Sequence, residues 1–442
     1  MNGINFRHRI AALSATLCLL PCLLTETSAQ ESIDYACFGL SRHKQPISSQ
    51  STQFPSAKGL VMAGYQGWFN AEGDGMDLGW KHYEKDHQFY PGNCTIDLWP
   101  DVSEYEKTYV SPFCFSDGND ARLFSSHDRS TVMLHFQWMK DYGIDGAFMQ
   151  RFVQTVKNPK GLRNYNDILM NARDAAERYE RAFCVMYDLS GMNAEDTKVV
   201  MKDWDFLTTI GEITSSCNYL HHNGKPLVAI WGIGFNDNRK YGFAEAEELV
   251  NFFHRKGCSI LLGVPTHWRA LTMDTIHSDK LHKIIKETDI VHPWFVGRFN
   301  NETTGLQRDI IHNDLEWCKA EGLDYMPVLY PGFSWYNLKD GVAAPLNQIP
   351  RHGGRFFWKQ VVNALSEGAE MIYLAMFDEI DEGTAFFKCA NIVPVGDSPF
   401  VTYEGLPSDH YLWLAGMAGK CLRKEVSLSE TMPQREYTTT SE

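Results

Sequence analysis

The sequence predicts an α/β protein, a single (β/α)8 barrel with a long loop after its first strand. Three observations carry that expectation. Eight short apolar runs, rich in β-branched and aromatic residues, recur along the chain. Helical patterns separate them. No glycine-rich phosphate loop follows the first run, which weakens the competing doubly wound open sheet.

The runs, in order, are Gly59 to Phe69, Gly143 to Val153, Arg181 to Gly191, Lys225 to Phe235, Cys258 to Trp268, Asp289 to Phe299, Asp324 to Tyr336 and Ala369 to Gly383. Continuous apolar runs suit parallel strands covered on both faces. Between them, Val132, Phe136 and Met139 stripe one helix, and Ile168, Ala172 and Ala175 the next. Leu249, Val250 and Phe253 mark a third, ended by Gly257; Ile311 and Leu315 mark a fourth, ended by Gly322; Phe357, Val361 and Leu365 mark a fifth. Glycine just past the last turn takes the left-handed backbone that stops a helix. After the first run, roughly fifty-five residues read as loop, a length that is uncommon and often functional. That loop, including NAEGDGMDLGWKHYEKDHQFYPGNCTIDLWP, would emerge at the C-terminal face of the barrel.

The chain has 442 residues, a net charge of -14, and 44% hydrophobic against 22% charged residues, which makes it globular rather than disordered. The acidic balance argues against nucleic acid as a partner, since phosphates need a basic face. Arg7, His8 and Arg9 precede an apolar stretch from Ile10 to Leu24, and Thr27-Ser28-Ala29 offers small residues for cleavage. Residues 1–29 are therefore expected to be a signal peptide, too short to span a bilayer, which sends the mature chain to the periplasm or outside the cell. A lipoprotein anchor at Cys18 or Cys22 ranks second, because Leu17 and Pro21 stand where a small residue is needed. The expected organisation is then an extension at 30–58, the barrel at 59–423 and a disordered polar tail at 424–442. Nine cysteines remain after the leader, an odd number that leaves at least one thiol free. Cys94 and Cys114 share one polar loop and could bridge. The sequence says nothing about oligomeric state.

In a barrel of this kind, function gathers at strand C-terminal ends. Those ends supply Tyr65, Trp68, Asp188, Trp231, His267, Trp268, His292, Trp294, Tyr330 and Trp335 as candidate substrate-binding residues. The neighbouring Gln66, Gln150 and Arg151 lie at strand ends too, with Arg151 free either to hold a carboxylate of the site or to sit in a structural ion pair. Aromatic platforms with carboxylates describe a sugar site: rings cover the apolar faces of a pyranose and polar groups fix its hydroxyls. The densest acidic group is Asp378, Glu379, Asp381 and Glu382, at the end of the eighth run. Crowded carboxylates raise one another's pKa, which keeps a general acid protonated near neutral pH. The same four residues also suit a calcium site or a solvated loop.

The segment FDEIDEGT resembles the Phe-Asn-Glu-x-x-Glu-Gly-Thr stretch of the glycoside hydrolase family 99 endo-α-mannosidases, which group with the family 71 α-1,3-glucanases. YPGF with the later RHGGRFFWKQ is similar to that family's Pro-Gly-Tyr and Arg-x-x-Gly-x-x-Tyr region, and AGYQGWFN resembles its first strand. The resemblance implies a barrel glycosidase acting on α-linked glycans without an organic cofactor or metal. It implies that Glu379 is the base, which in family 99 acts on a substrate 2-hydroxyl, and that Glu382 is the acid/base that protonates the leaving oxygen. The chain departs from the family pattern at Asp378, Ile380 and Asp381 and in its first-strand motif, so the resemblance marks an outlying member and does not carry mannoside specificity. Three other functions are open on the sequence: a carbohydrate-binding barrel that does not cut, a metal-dependent hydrolase with Asp378, Glu379, Asp381 and Glu382 as ligands, and an activity of xylosidase or arabinosidase type.

Overall fold

A computed structural model describes residues 52–342 and 345–435. The expected signal peptide and most of the extension lie outside these residues. Twelve strands are described: β1 (Val61–Tyr65), β2 (Tyr109–Cys114), β3 (Asp120–Leu123), β4 (Gly146–Phe152), β5 (Ala182–Asp188), β6 (His221–His222), β7 (Lys225–Trp231), β8 (Ser259–Val264), β9 (Ile290–Pro293), β10 (Asp324–Tyr325), β11 (Val328–Leu329) and β12 (Ile372–Leu374).

Each of the eight apolar runs contains a strand of one parallel sheet, in the order β10-β9-β8-β7-β5-β4-β1-β12-β11. Among the described strands, only β6 pairs antiparallel to it, on β7. The two end strands of this path, β10 and β11, are separated by two residues, Met326 and Pro327. The sheet thus curls until both of its ends lie in one stretch of chain. Strands β1, β5 and β8 are buried at every residue, as apolar runs demand.

Helices cover the sheet where the periodicity put them: Arg129–Tyr142, Pro159–Tyr179, Phe243–Arg255, Thr304–Glu321 and Arg355–Ser366. The helix Pro159–Tyr179 shows how local chemistry sets its bounds. Asn158 caps its start by accepting from the N–H of Lys160 and Gly161, and Pro159 opens the first turn. A proline there costs nothing, because that N–H has no partner inside the helix.

Three features differ from the expectation. The long loop after β1 carries an antiparallel hairpin, β2–β3, in which Ser111 and Phe113 face inward while their neighbours face solvent. Cys94 and Cys114 are not bridged; both are free thiols, and the Cys94 Sγ–H donates to Ser398 Oγ at 3.3 Å. Within the segment read as a loose tail, Ser429 O accepts from Trp358 Nε1 at 2.9 Å and Arg435 pairs with Asp409. Residues 436–442 lie outside the described residues.

Candidate active site

Strand alternation decides which side chains reach the mouth of the sheet. On β1, Gly64 faces inward: a Cβ there would stand 2.1 Å from the Tyr373 hydroxyl, so only glycine fits. Gln66, two residues on, shares that face. Tyr65 therefore faces outward, where its hydroxyl meets His135 Nδ1 at 2.9 Å on the helix Arg129–Tyr142. Along the mouth the register aligns Asp188 of β5 with Trp231 of β7, then Gly263 of β8, then His292 of β9. Gly263 again admits no side chain, because the Trp231 indole lies across it.

The four acids sit in the turn after β12, each held differently. Both oxygens of Asp378 accept backbone N–H groups, from Gln66 at 2.8 Å and Gly67 at 2.9 Å. Glu379 accepts from Gln66 Nε2 at 2.5 Å and from the Thr384 hydroxyl at 2.6 Å. Asp381 faces His82 Nδ1 at 3.4 Å, and its second oxygen is buried without a partner. Glu382 alone of the four is half-open to solvent. The calcium-type alternative needs these acids to converge on a cation. Instead, the oxygens of Asp378 and Glu379 are taken by four donors within the protein.

The electrostatics follow from burial. Removal from water raises Asp378 to about 7 and Asp381 to about 8. Burial, then the charges of Glu382 and Asp381, hold Glu379 well above the usual carboxylate range, while its donors Thr384 and Gln66 pull it back. Burial and Asp381 raise Glu382 to about 7, with Lys339 acting in the opposite sense. Asp188 stands at about 6, raised by burial, and its charge also reaches Glu382. Asp188, Asp381, Glu379 and Glu382 thus form one field at the mouth.

Several of the sequence candidates gather round this field. Trp231 packs edge-on to Trp294 at 5.3 Å. Trp68 stacks on His82, with ring centroids 3.9 Å apart and planes 6° from parallel. The ammonium of Lys339, which offsets Glu382, lies 5.3 Å over the Trp335 ring. The indole N–H groups of Trp68, Trp231 and Trp335 are buried without a partner. His292 packs 4.5 Å from the Tyr373 ring.

Other candidates lie elsewhere, and the structure corrects them. Tyr65 is a core residue between strand and helix. Trp268 is fully buried, donates its Nε1–H to Asp314 at 2.9 Å and packs against Trp317. Tyr330 is buried with its hydroxyl on Phe299 O and its ring against Phe356. His267 pairs with Asp274 at 3.0 Å inside its own loop. Arg151 takes the structural role, gripping Asp203 through Nε at 2.8 Å and Nη2 at 2.5 Å, both side chains fully buried. Of the residues that complete the site, Gln66 and Gln150 are polar groups at the ends of apolar strands. His82 comes from the long loop, which Asp97 N and Leu98 N tie to Ile380 O at 2.9 and 3.2 Å.

No family model matches the sequence, and no curated protein matches it. Solved structures do. A GH99 endo-alpha-mannosidase from Bacteroides thetaiotaomicron superposes with a TM-score of 0.60 at 15% identity, over 84% of this chain and 100% of that one. This chain has the GH99 fold. A second structure of that enzyme, in complex with BIS-TRIS-propane, gives a TM-score of 0.58 at 15% identity, over 84% and 98% of the two chains. The resemblance read from FDEIDEGT points to the same fold. The acidic turn after β12, which carries that segment, is held to the end of β1 by Gln66 and Gly67, so two of the stretches that resemble GH99 in sequence meet at one place.

Proposed function

We propose that this protein is a glycoside hydrolase that cuts α-linked bonds in a glycan or polysaccharide. Glu379 serves as the base and Glu382 as the acid that protonates the leaving oxygen. The observation that carries this reading is the pairing of unlike carboxyls. Glu379 is sealed in and aimed by Gln66 and Thr384, whereas Glu382 is half-open and raised to about 7. An acid with a pKa near the working pH holds its proton yet gives it up readily. Mutual repulsion between the two favours one proton on the pair; burial pulls it toward Glu379, and the donors Gln66 and Thr384, which favour ionised Glu379, act to leave it on Glu382. Partnerless indole N–H donors at the mouth suit sugar hydroxyls.

The same reading takes the curled sheet as eight staves, with β10 and β11 two halves of one, and residues 1–29 as a leader for export. The GH99 fold supports a glycan substrate. The test is release of new reducing ends from α-mannans, α-glucans and arabinoxylans by the mature protein. Glu379→Gln and Glu382→Gln run beside it, with and without chelator. Release from one polymer, lost in both variants and unchanged by chelator, is expected. Binding without release by the folded wild type would favour the carbohydrate-binding barrel instead.

A further inference from the structure

We infer that Gln150 and His292 form a hydroxyl-reading floor beneath the acids, each presenting a bare acceptor, so that together they select a sugar with two free hydroxyl groups there. The inference rests on the glycoside hydrolase reading and adds to it two specificity-determining residues and the polarity of their contacts.

That polarity is set by the protein. Gln150 is more than nine-tenths buried, and its Nε2 faces the Met186 thioether at 3.2 Å and the Tyr373 hydroxyl at 3.1 Å. A thioether sulfur only accepts, so the amide cannot turn its oxygen toward it. Oε1 must then point the other way, and it is buried without a partner. His292 is fully buried, with Nδ1 3.0 Å from Met326 O. A carbonyl only accepts, so Nδ1 carries the hydrogen. Burial lowers the ring to about 4, which keeps it neutral. Nε2 is therefore a lone-pair acceptor, and it too is buried without a partner.

Both residues pack on Tyr373, whose hydroxyl responds to the charges of Glu379 and Asp188. The two acceptors thus flank one tyrosine, Tyr373, that lies within electrostatic reach of Glu379 and Asp188. A buried acceptor left unmet is costly. A sugar hydroxyl meets it by donating; a methyl ether, an ester or a deoxy carbon does not.

The test is binding to the Glu382→Gln protein, read by calorimetry. The probes are methyl α-mannopyranoside, methyl α-glucopyranoside and their 2-, 3-, 4- and 6-deoxy analogues. One deoxy position is expected to weaken binding about tenfold, as losing the donor to a buried acceptor should. Adding Gln150→Met removes that discrimination, whereas Gln150→Glu, which keeps an acceptor, retains it. A second position behaves in the same way with His292→Phe. If His292→Phe does not fold, the Gln150 pair of variants decides alone. Losses that simply add, position by position, mean that the residues shape the fold without touching sugar, and overturn the inference. So does failure of every probe to bind. Polymer turnover by the wild type without probe binding sinks the floor and leaves the hydrolase. Probe binding without turnover does the reverse.

Discussion

Gln66 donates to Glu379 across 2.5 Å, linking the end of β1 to the turn after β12. This bond and the one from Thr384 favour the ionised form of a carboxyl that burial and two acidic neighbours push toward neutrality. Removing a donor therefore raises Glu379 further. For a base that must be ionised, the acid limb of the kcat/KM profile moves to higher pH. Gln66→Leu and Thr384→Val are each expected to shift it up by about one pH unit, the size of a lost hydrogen bond to a charged group. An unmoved limb would mean that Glu379 is not the titrating base.

Glu382 should govern the alkaline limb, because the acid must be protonated. The charge of Asp381 raises Glu382 and that of Lys339 lowers it. Asp381→Asn is therefore expected to bring the alkaline limb down and Lys339→Met to take it up, each by about one unit or less. Opposite movement in two single variants is hard to produce by general damage. Glu382→Gln itself should cost about a hundredfold to ten-thousandfold in kcat, the range for one proton-transfer group. Far-UV and near-UV circular dichroism would show whether its fold is kept.

The same carboxyls make stability depend on pH. Asp188, Asp378, Glu382 and Asp381 stand at about 6, 7, 7 and 8 in the folded chain, above their unfolded values. Through these groups the folded state binds more protons than the unfolded state, so they lower stability as pH rises between about 4 and 8; buried His82, His135 and His292, held at about 3, 3 and 4, act in the opposite sense below about pH 6.5, so the fall is steepest above it. Tm is expected to be higher at pH 5.5 than at pH 8. Asp381→Asn and Glu382→Gln should each flatten the slope and raise Tm at pH 8, as seen by scanning calorimetry. A Tm that climbs with pH would contradict the raised values.

The strands were legible because eight doubly buried runs need no alternation to be seen. That same property hid which strand-end residues face the site. In an apolar run both faces look alike, and a one-residue error turns every side chain over. Tyr65 and Tyr330 went to the wrong face for this reason, whereas Trp268 lies in the turns after β8, which ends at Val264. A sharper signal lay beside them: Gln66 and Gln150 are polar residues where a doubly buried strand has no other use for them. The β2–β3 hairpin was hidden by Pro112, a residue that demotes a run to an edge strand. The acids were legible from their crowding, but His82 was not, because it reaches Asp381 from a loop nearly three hundred residues earlier.

Arg151 and Asp203 offer a prediction on stability apart from the proposed chemistry. The pair is fully buried, and Asn166 and the Tyr187 hydroxyl add bonds of 2.9 and 2.7 Å. Removing one partner leaves a charge with no water and no counter-charge. Arg151→Met or Asp203→Asn is expected to cost about 3–5 kcal/mol, measured by urea unfolding. The double variant Arg151→Met/Asp203→Leu should recover much of the loss, since it removes both charges together. If the single variants cost less than about 1 kcal/mol, a surface-like value, then water reaches the pair. Arg151 would in that case be open to a second role at the mouth, and its substitution should then alter KM.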